Sequence, residues 1–399
     1  MRFRHSLLVL VVGMAPGWCF SYQPTSNYSY LKNSNFIGNY ALEVGGKLNS
    51  ELLHSNALAS LIAESDLSLT IDLYHLNAGV LKYGVRINPS LSSYSASSMD
   101  YHLFINGRLG KIEIGATPSA AENLKIRATP LSLGAGTVGS SFGRHIKFPL
   151  DSGHLLFEPT TLASQNFGFV DGQSIKKSWN HSKYLNKINY YSPELFGFQL
   201  GLSLTPNAVL TDVELGFDTE NRFDFGYILS GAMNFIETLW DVALAASMVF
   251  ESNITDPARK IPLWGRIDTE DHSLAAKLNS YEFGLSFSYF GVTIAASLGH
   301  VDRAPNEGLK ISVDNVEKIS GWYGTGGGSY EIGSLLMSVV YSETRLDSGT
   351  TLKTFDYGIR KSIARNMAYY VRYIDYRYRF ESQGFTKEFG VGTGIVISF

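Results

Sequence analysis

Apolar and polar residues alternate along most of this 399-residue chain. The segment 67–74 reads Leu-Ser-Leu-Thr-Ile-Asp-Leu-Tyr, which places three leucines and an isoleucine on one face of an extended strand and polar residues on the other. The last eleven residues alternate in the same way and end on Phe399, on the apolar face. Alternation alone fits either a soluble β-sandwich or a barrel whose outer face meets lipid.

The whole pattern predicts sixteen strands, most of them close to the length that a tilted strand needs to cross a membrane. No apolar run approaches the roughly 18 residues that a membrane-spanning helix needs. The predicted strands are 40–48, 67–74, 80–87, 101–109, 111–116, 183–191, 197–205, 223–235, 239–251, 281–289, 292–300, 318–330, 334–345, 352–361, 367–378 and 388–399.

The connections between these strands alternate in length. The joins that follow the even-numbered strands are tight, whereas most of the others are long: 49–66, 88–100, 117–182, 206–222, 252–280 and 301–317. Short turns at one end and long loops at the other, with an even number of strands, are typical of bacterial outer-membrane barrels. A soluble sandwich has no reason to keep this alternation along the whole chain. The sequence therefore predicts an all-β fold, a 16-stranded antiparallel transmembrane barrel.

Composition and the N-terminus agree with an exported barrel. The chain has 23 Tyr, 24 Phe and 39 Gly, which suit strands and tight turns. Basic residues at positions 2 and 4 precede a short apolar run and then small residues, so we predict a signal peptide over 1–21, cleaved after Ser21, with cleavage after Cys19 as the alternative. The barrel then occupies 22–399 as a single domain. Cys19 is the sole cysteine, so the mature chain is predicted to have no disulfide, and Gly17-Trp18 before it argue against a lipoprotein.

Several classes of function are disfavoured. The net charge of −3 does not provide the basic surface that nucleic-acid binding needs. The nine histidines show no metal-ligand spacing, and we predict no metal and no cofactor. The sequence contains no motif for a nucleophile with its base, so we predict that the protein is not an enzyme.

The segment 117–182 is too long for an ordinary connection. It combines short apolar pieces, glycine-rich stretches and scattered acids, and the apolar pieces argue against disorder. The acids in it are Glu122, Asp151, Glu158 and Asp171.

Three motifs resemble one family. The stretch Arg108-Leu-Gly-Lys-Ile-Glu-Ile-Gly-Ala116 resembles the strand that leads into its third external loop, and the hairpin 186–201 has the family's Tyr-x-Ser-Pro turn. The ending Gly-Ile-Val-Ile-Ser-Phe399 resembles its assembly signal, carried by Ile395, Ile397 and Phe399. In layout, nearly the whole mature chain is similar to the Gram-negative general (non-specific) outer-membrane porin superfamily.

The resemblance implies that 117–182 is a third external loop folded into the lumen, where its acids face basic residues on the wall and narrow the pore. It also implies a homotrimer, recognition of the last strand by the barrel assembly machinery, and a setting of outer-membrane lipid and lipopolysaccharide. This loop is longer than is usual in the family and lacks the compact acidic cluster.

The alternating pattern itself predicts which wall residues line the pore, because the face opposite the apolar one should face the lumen. Opposed basic and acidic rows would orient dipolar solutes and exclude large apolar ones. The basic candidates are Lys47, Lys82, Arg86, Arg108, Arg360 and Arg372, and the acidic ones are Glu43, Asp72 and Glu113.

We interpret the sequence as a passive outer-membrane diffusion channel for small hydrophilic solutes and ions, which selects by size and charge at a loop-lined constriction. Two alternatives stay open at this point. One is a substrate-specific channel, and the other is a surface-exposed adhesin or structural barrel.

Overall fold

Sixteen antiparallel strands form a closed barrel in the computed structural model of the chain. Each strand pairs with the next in sequence, and the last pairs with the first, from Lys47 opposite Ser398 to Ser55 opposite Gly390. The strands are β1 Tyr40–Ser55, β2 Ile62–Asn77, β3 Leu81–Ser92, β4 Ser98–Gly107, β5 Gly110–Ala116, β6 Asn186–Tyr191, β7 Phe198–Thr205, β8 Ile228–Leu239, β9 Val242–Asn253, β10 Ser273–Tyr289, β11 Val292–Pro305, β12 Ile319–Ile332, β13 Leu335–Leu346, β14 Thr351–Ala364, β15 Met367–Arg379 and β16 Thr386–Ser398.

The structure describes most of the barrel and part of its loops. The described residues are 35–37, 40–56, 61–77, 81–92, 98–133, 154–157, 167–171, 174–179, 186–206, 209–211, 222–224, 227–253, 273–305, 319–347, 349, 351–379 and 385–399. The predicted signal peptide, 1–21, lies outside them. Among the residues so described, no helix is long and apolar enough to cross a membrane.

Smaller elements lie between the barrel strands. Helix α1, Ala120–Leu124, begins after Ser119, whose hydroxyl accepts a hydrogen bond from the Glu122 N–H, and a 3-10 turn spans Thr129–Leu131. The short strands are Asn35–Ile37, which pairs with the start of β1, Val209–Thr211, Arg222–Asp224, and a three-stranded sheet of His154–Phe157, Phe167–Asp171 and Ser174–Trp179.

The predicted number and order of the strands are confirmed, but several strands are longer than predicted. β1 continues to Ser55 and β2 begins at Ile62, so most of the segment 49–66 is strand and only its centre is a connection. The two strands keep pairing there, with Glu51 opposite Glu64. Strand pairing continues there because the hydrogen bonds between strands join backbone groups and do not depend on an apolar face. The predicted first strand was too short because Ser50 interrupts the apolar row of the outer face, which Leu52 then resumes.

The two faces of the barrel have opposite chemistry. Large apolar side chains are exposed on one face, such as Leu103, Leu285 and Ile294 at 59%, 65% and 54%. The other face carries the buried polar side chains. Because a closed barrel has only an outer surface and a lumen, the apolar face is the outer one and the polar face lines the lumen.

Aromatic side chains cluster on the outer face toward both ends of the strands. Tyr281 stacks on His300 with ring centroids 5.4 Å apart, and His300 meets the edge of Trp322 at 4.8 Å. At the short-turn end, Tyr40 and His75 meet at 4.8 Å. Such girdles form where a barrel wall passes from lipid to water.

Candidate functional site

A row of polar side chains crosses the first strands of the wall at one height. Glu43 of β1 lies opposite Asp72 of β2, Asp72 opposite Arg86 of β3, and Arg86 opposite His102 of β4. Arg86 donates two hydrogen bonds to Asp72, from Nε to Oδ1 and from Nη2 to Oδ2, and both are 2.6 Å long. This forked geometry holds the guanidinium flat along the wall, with 26% of its side chain exposed.

Lys82 extends this polar wall toward the short-turn end. Its ammonium lies 3.5 Å from the centroid of the Tyr74 ring, and the Tyr74 hydroxyl donates a 2.6 Å hydrogen bond to Glu43. An aromatic face attracts the cation, while the acid polarises the phenol. Lys47 of β1 and Arg360 of β14 are half-buried on the same polar face, and their like charges interact. These bases thus lie on the polar face, and their role in lining the pore stays a prediction.

Glu113 of β5 contacts four side chains close to the point where the long loop begins. Its carboxylate oxygens lie 2.5 Å from Lys111 Nζ and 3.6 Å from His102 Nε2. Asn189 donates an amide hydrogen at 3.2 Å, and Tyr191 donates its hydroxyl at 3.3 Å. With its side chain only 4% exposed, Glu113 ties three strands together more than it presents charge to the lumen.

The start of the long loop lies against the polar face of the wall. We call residues 117–133 the inner strap. Its backbone N–H groups donate to hydroxyls of three separate strands: Ala120 to Ser203 Oγ (2.6 Å), Ile126 to Ser247 Oγ (2.8 Å) and Ala128 to Thr325 Oγ1 (3.1 Å). The strap therefore crosses from β7 past β9 to β12. The wall satisfies backbone groups that would otherwise need water.

The wall is shaped to receive the strap. A Cβ built on Gly284 of β10 would lie 1.8 Å from the Ile126 carbonyl oxygen, so only glycine fits at this position. The strap in turn places small side chains against the wall, with Ala120, Ala121 and Ala128 fully buried. Small residues on both sides let the backbone approach the sheet closely.

Charges within the strap are paired locally. Glu122 forms ion pairs with Lys125 and with Arg127, the latter at 3.6 Å. The Lys125 side chain is only 2% exposed, and this burial lowers the pKa of its ammonium, an effect that Arg127 strengthens and Glu122 opposes. The predicted loop acid Glu122 thus lies in the strap. That the loop acids face bases of the wall stays a prediction.

Arg372 was predicted to line the lumen. Its side chain is 0% exposed, so it does not face open lumen. Its Nε and Nη2 bind the two carboxylate oxygens of Glu51 at 2.5 and 2.9 Å, and Nη1 donates to the Leu133 carbonyl at 3.1 Å. Nη1 also lies 3.7 Å from Asp356, which accepts a hydrogen bond from Ser132. Arg372 lies on the polar face, but the strap covers it, and the contact with Leu133 anchors the end of the strap.

Four candidates for the pore lining remain: Arg108, Asp151, Glu158 and Asp171. Arg108 is exposed in the turn between β4 and β5, not on the wall, because β4 ends at Gly107 rather than at 109. Asp151 and Glu158 lie outside the described residues. Asp171 ends a short strand, and its side chain is also outside the description. The inward course of the whole segment 117–182 therefore stays a prediction beyond the strap.

Sequence reasoning missed three residues that organise the site: Lys111, Glu51 and Asp356. Lys111 shares the polar face with Glu113, so the alternation could have identified it. Glu51 lies just past the predicted end of the first strand, and extending the alternation would have found it too. The role of Asp356 depends on Ser132, which is distant in sequence, and no local signal marks it.

The C-terminal strand has the predicted faces. Ile395 and Phe399 are exposed on the outer face, and Ile397 between them is half-buried. Phe399 and Gly46 exchange two backbone hydrogen bonds of 2.8 and 3.0 Å, which extend the pairing of β16 with β1 to the last residue. Phe399 therefore lies at the seam where the barrel closes. Its role as an assembly signal stays a prediction.

In the part of the chain that the structure describes, no group of three or more His, Cys, Asp or Glu side chains is arranged to hold a metal ion. The site consists of a polar wall, paired charges and a strap on the wall. A closed barrel with an apolar outer band and a polar interior defines an outer-membrane β-barrel protein.

Comparison with known proteins narrows this class. A family model described as Gram-negative porin matches residues 34–380, and the chain belongs to that family. Family and barrel together indicate the outer membrane. In sequence, the chain is 29% identical over 137 residues to an uncharacterized protein of Rickettsia bellii (32% of this chain, 30% of that one). It is 22% identical over 295 residues to one of Rickettsia typhi (63% of each). The chain spans less than two thirds of the length of either relative.

Solved structures share the fold at low identity. An anion-selective porin from Comamonas acidovorans has a TM-score of 0.58 at 14% identity, over 90% of this chain and 100% of that one. A loop-deletion mutant of OmpT, an outer membrane protein of Vibrio cholerae, has a TM-score of 0.57 at 11% identity, over 91% and 100%. A trimer form of OmpT has a TM-score of 0.54 at 11% identity, also over 91% and 100%. These likenesses concern the fold alone.

Proposed function

We propose that this protein is a passive diffusion channel for small hydrophilic solutes and ions across the outer membrane. The observation that supports this most is a closed barrel whose polar face carries ionic groups, Arg86 and Lys82 among them, in a chain of the Gram-negative porin family. Paired charges on the polar wall provide polar contacts for solutes along the path. The channel needs no cofactor and performs no covalent chemistry.

Selection depends on size and charge at a constriction. The inner strap already covers part of the wall, and the rest of the segment 117–182 narrows the lumen further. Across this narrow zone, the bases Lys47, Lys82, Arg86 and Arg360 face the acids of the loop. A transverse field of this kind orients dipolar solutes and disfavours large apolar ones.

The working form is a homotrimer in outer-membrane lipid and lipopolysaccharide. The trimer form of the structurally similar Vibrio cholerae protein supports this assembly. Export uses the signal peptide 1–21, and the barrel assembly machinery recognises the last strand through Ile395, Ile397 and Phe399.

Reconstitution of the purified barrel in a planar lipid bilayer tests this function. We expect stepwise current increments whose size rises with salt concentration. Saturation or block by one particular solute would instead indicate a substrate-specific channel. A folded barrel that inserts without conducting would refute the channel and favour an adhesin or structural role.

Variants of one strand test the proposed lining. Arg86→Ala and Lys82→Ala each remove a positive charge from the polar face of β3 and should shift the reversal potential in a salt gradient toward cation preference. Val85→Ala is the matched control, because its side chain lies on the opposite face of the same strand. If the two charge variants match Val85→Ala in conductance and selectivity, these residues do not line the path.

A further inference from the structure

The ion pair between Arg372 and Glu51 passes over an intervening strand. Arg372 belongs to β15 and Glu51 to β1, and the closing strand β16 lies between them. The pair has room because Gly392 of β16 lies beneath it: a Cβ built there would be 2.2 Å from Glu51 Oε1. A second contact, from the Tyr370 hydroxyl to Asn49 at 3.0 Å, crosses the same strand. The glycine-rich face of the last strand therefore makes space for bridges that clamp the seam.

The same guanidinium also holds the inner strap. Its Nη1 donates to the Leu133 carbonyl at 3.1 Å, while Asp356 beside it accepts from Ser132. The end of the strap thus rests on an arginine whose main partner lies across the seam. A bond from a charged donor to a backbone carbonyl is stronger than a neutral one, so this anchor contributes strongly to the position of the strap.

We propose that Arg372 is a positioning residue that couples closure of the barrel to seating of the inner strap. Before β16 pairs with β1, Glu51 lies on an open edge and Arg372 lacks its forked partner. At that stage the arginine keeps only the more distant Asp356, 3.7 Å away on the neighbouring strand. Docking the strap over it would bury a charge that is only partly compensated, which is costly. The strap therefore seats firmly only in the closed barrel. This inference rests on packing and does not depend on the proposed transport function.

A cysteine pair can report the seated strap. The Cβ built on Gly358 of β14 lies 3.2 Å from Leu133 Cβ, so Leu133→Cys with Gly358→Cys should cross-link under copper-phenanthroline oxidation. The chain after residue 21 has no other cysteine. The cross-link is detected as a mobility change on denaturing gels. Closure of the barrel is measured separately, as the mobility difference between unheated and heated samples.

Three changes are made in this double-cysteine chain. Arg372→Met should lower the cross-linking rate by about tenfold, the scale of one lost charge-assisted hydrogen bond, while the heat-dependent mobility shift persists. Glu51→Gln should lower the rate as well, although Glu51 lies across the seam, because the arginine loses the nearer of its two acidic partners. Arg86→Met is the matched control: it removes another forked arginine from the wall and should leave the rate unchanged.

Each result decides the inference. An unchanged rate in Arg372→Met would show that Arg372 does not position the strap. An unchanged rate in Glu51→Gln would refute the coupling to the seam. If Arg372→Met gives no closed barrel, Arg372→Lys takes its place, since lysine keeps the charge and loses the fork. A closed Arg372→Lys barrel with a reduced rate supports the inference, and one with the parental rate overturns it. None of these results depends on whether the barrel conducts.

Discussion

Removal of Phe399 should weaken the seam of the barrel. This residue exchanges two backbone hydrogen bonds with Gly46, and its ring lies over that glycine, where an added Cβ would be 2.6 Å from the ring atom Cζ. Deletion removes both hydrogen bonds and the ring, whereas Phe399→Ala removes the ring alone. The two variants therefore separate the backbone contribution from the side-chain contribution.

The expected cost follows from these contacts. Two backbone hydrogen bonds contribute about 1 kcal/mol each to the free energy of unfolding. The residue is 43% exposed, so somewhat more than half of it is covered, which contributes about another 1 kcal/mol. Deletion should then cost about 3 kcal/mol, or roughly a hundredfold in the folding equilibrium, and Phe399→Ala about 1 kcal/mol.

Urea unfolding in detergent micelles, followed by the heat-dependent mobility shift, measures both variants. Deletion should unfold at the lowest urea concentration, Phe399→Ala at an intermediate one and the unaltered chain at the highest. In cells, deletion should lower the amount of barrel in the outer membrane while export continues. Equal unfolding midpoints together with normal surface levels would refute both the seam contacts and the role of the terminus in assembly.

Three further outcomes can be measured directly. Arg86→Gln removes the cation that pairs with Asp72 and should raise the cation-to-anion permeability ratio, several-fold at low salt and less at high salt. Reversal potentials measure this ratio, and equal ratios at both salt concentrations would contradict the placement of Arg86 in the pore. Gly284→Ala places a methyl group against the Ile126 carbonyl and should displace the strap while the barrel stays closed. The single-channel current should then become noisier, and an unchanged current would argue against a fixed strap. N-terminal sequencing of the exported protein should begin at Tyr22, and a start elsewhere would exclude cleavage after Ser21.

Strand number, strand order and the two faces of the wall follow from the sequence. They are local properties, because side chains alternate every second residue and lipid on one side demands an apolar face. Val391 and Ile395 on the outer face of β16 illustrate this. On β1, Ser50 interrupts the apolar row of the outer face, which is why the prediction missed the part of the strand that contains Glu51.

Turn positions show a second limit. Arg108 and Lys111 lie three residues apart, yet one is exposed in a turn and the other pairs with Glu113 on the wall. The alternation of apolar and polar residues continues through both positions. The tight turn from Gly107 to Gly110 contains Arg108, whereas Lys111 lies in the strand that follows it. A base near a strand end therefore cannot be assigned to the lumen from periodicity alone.

The sequence by itself thus determined the barrel, its even number of strands and the inward direction of Arg372. Only the tertiary structure decided that Arg372 is buried and that Phe399 meets Gly46. Burial of Arg372 depends on Leu133, which lies 239 residues earlier in the chain. The partner of Phe399 depends on the stagger at which the sheet closes, a property of all sixteen strands together. Periodicity encodes which way a side chain points, whereas contacts between distant segments decide what it meets.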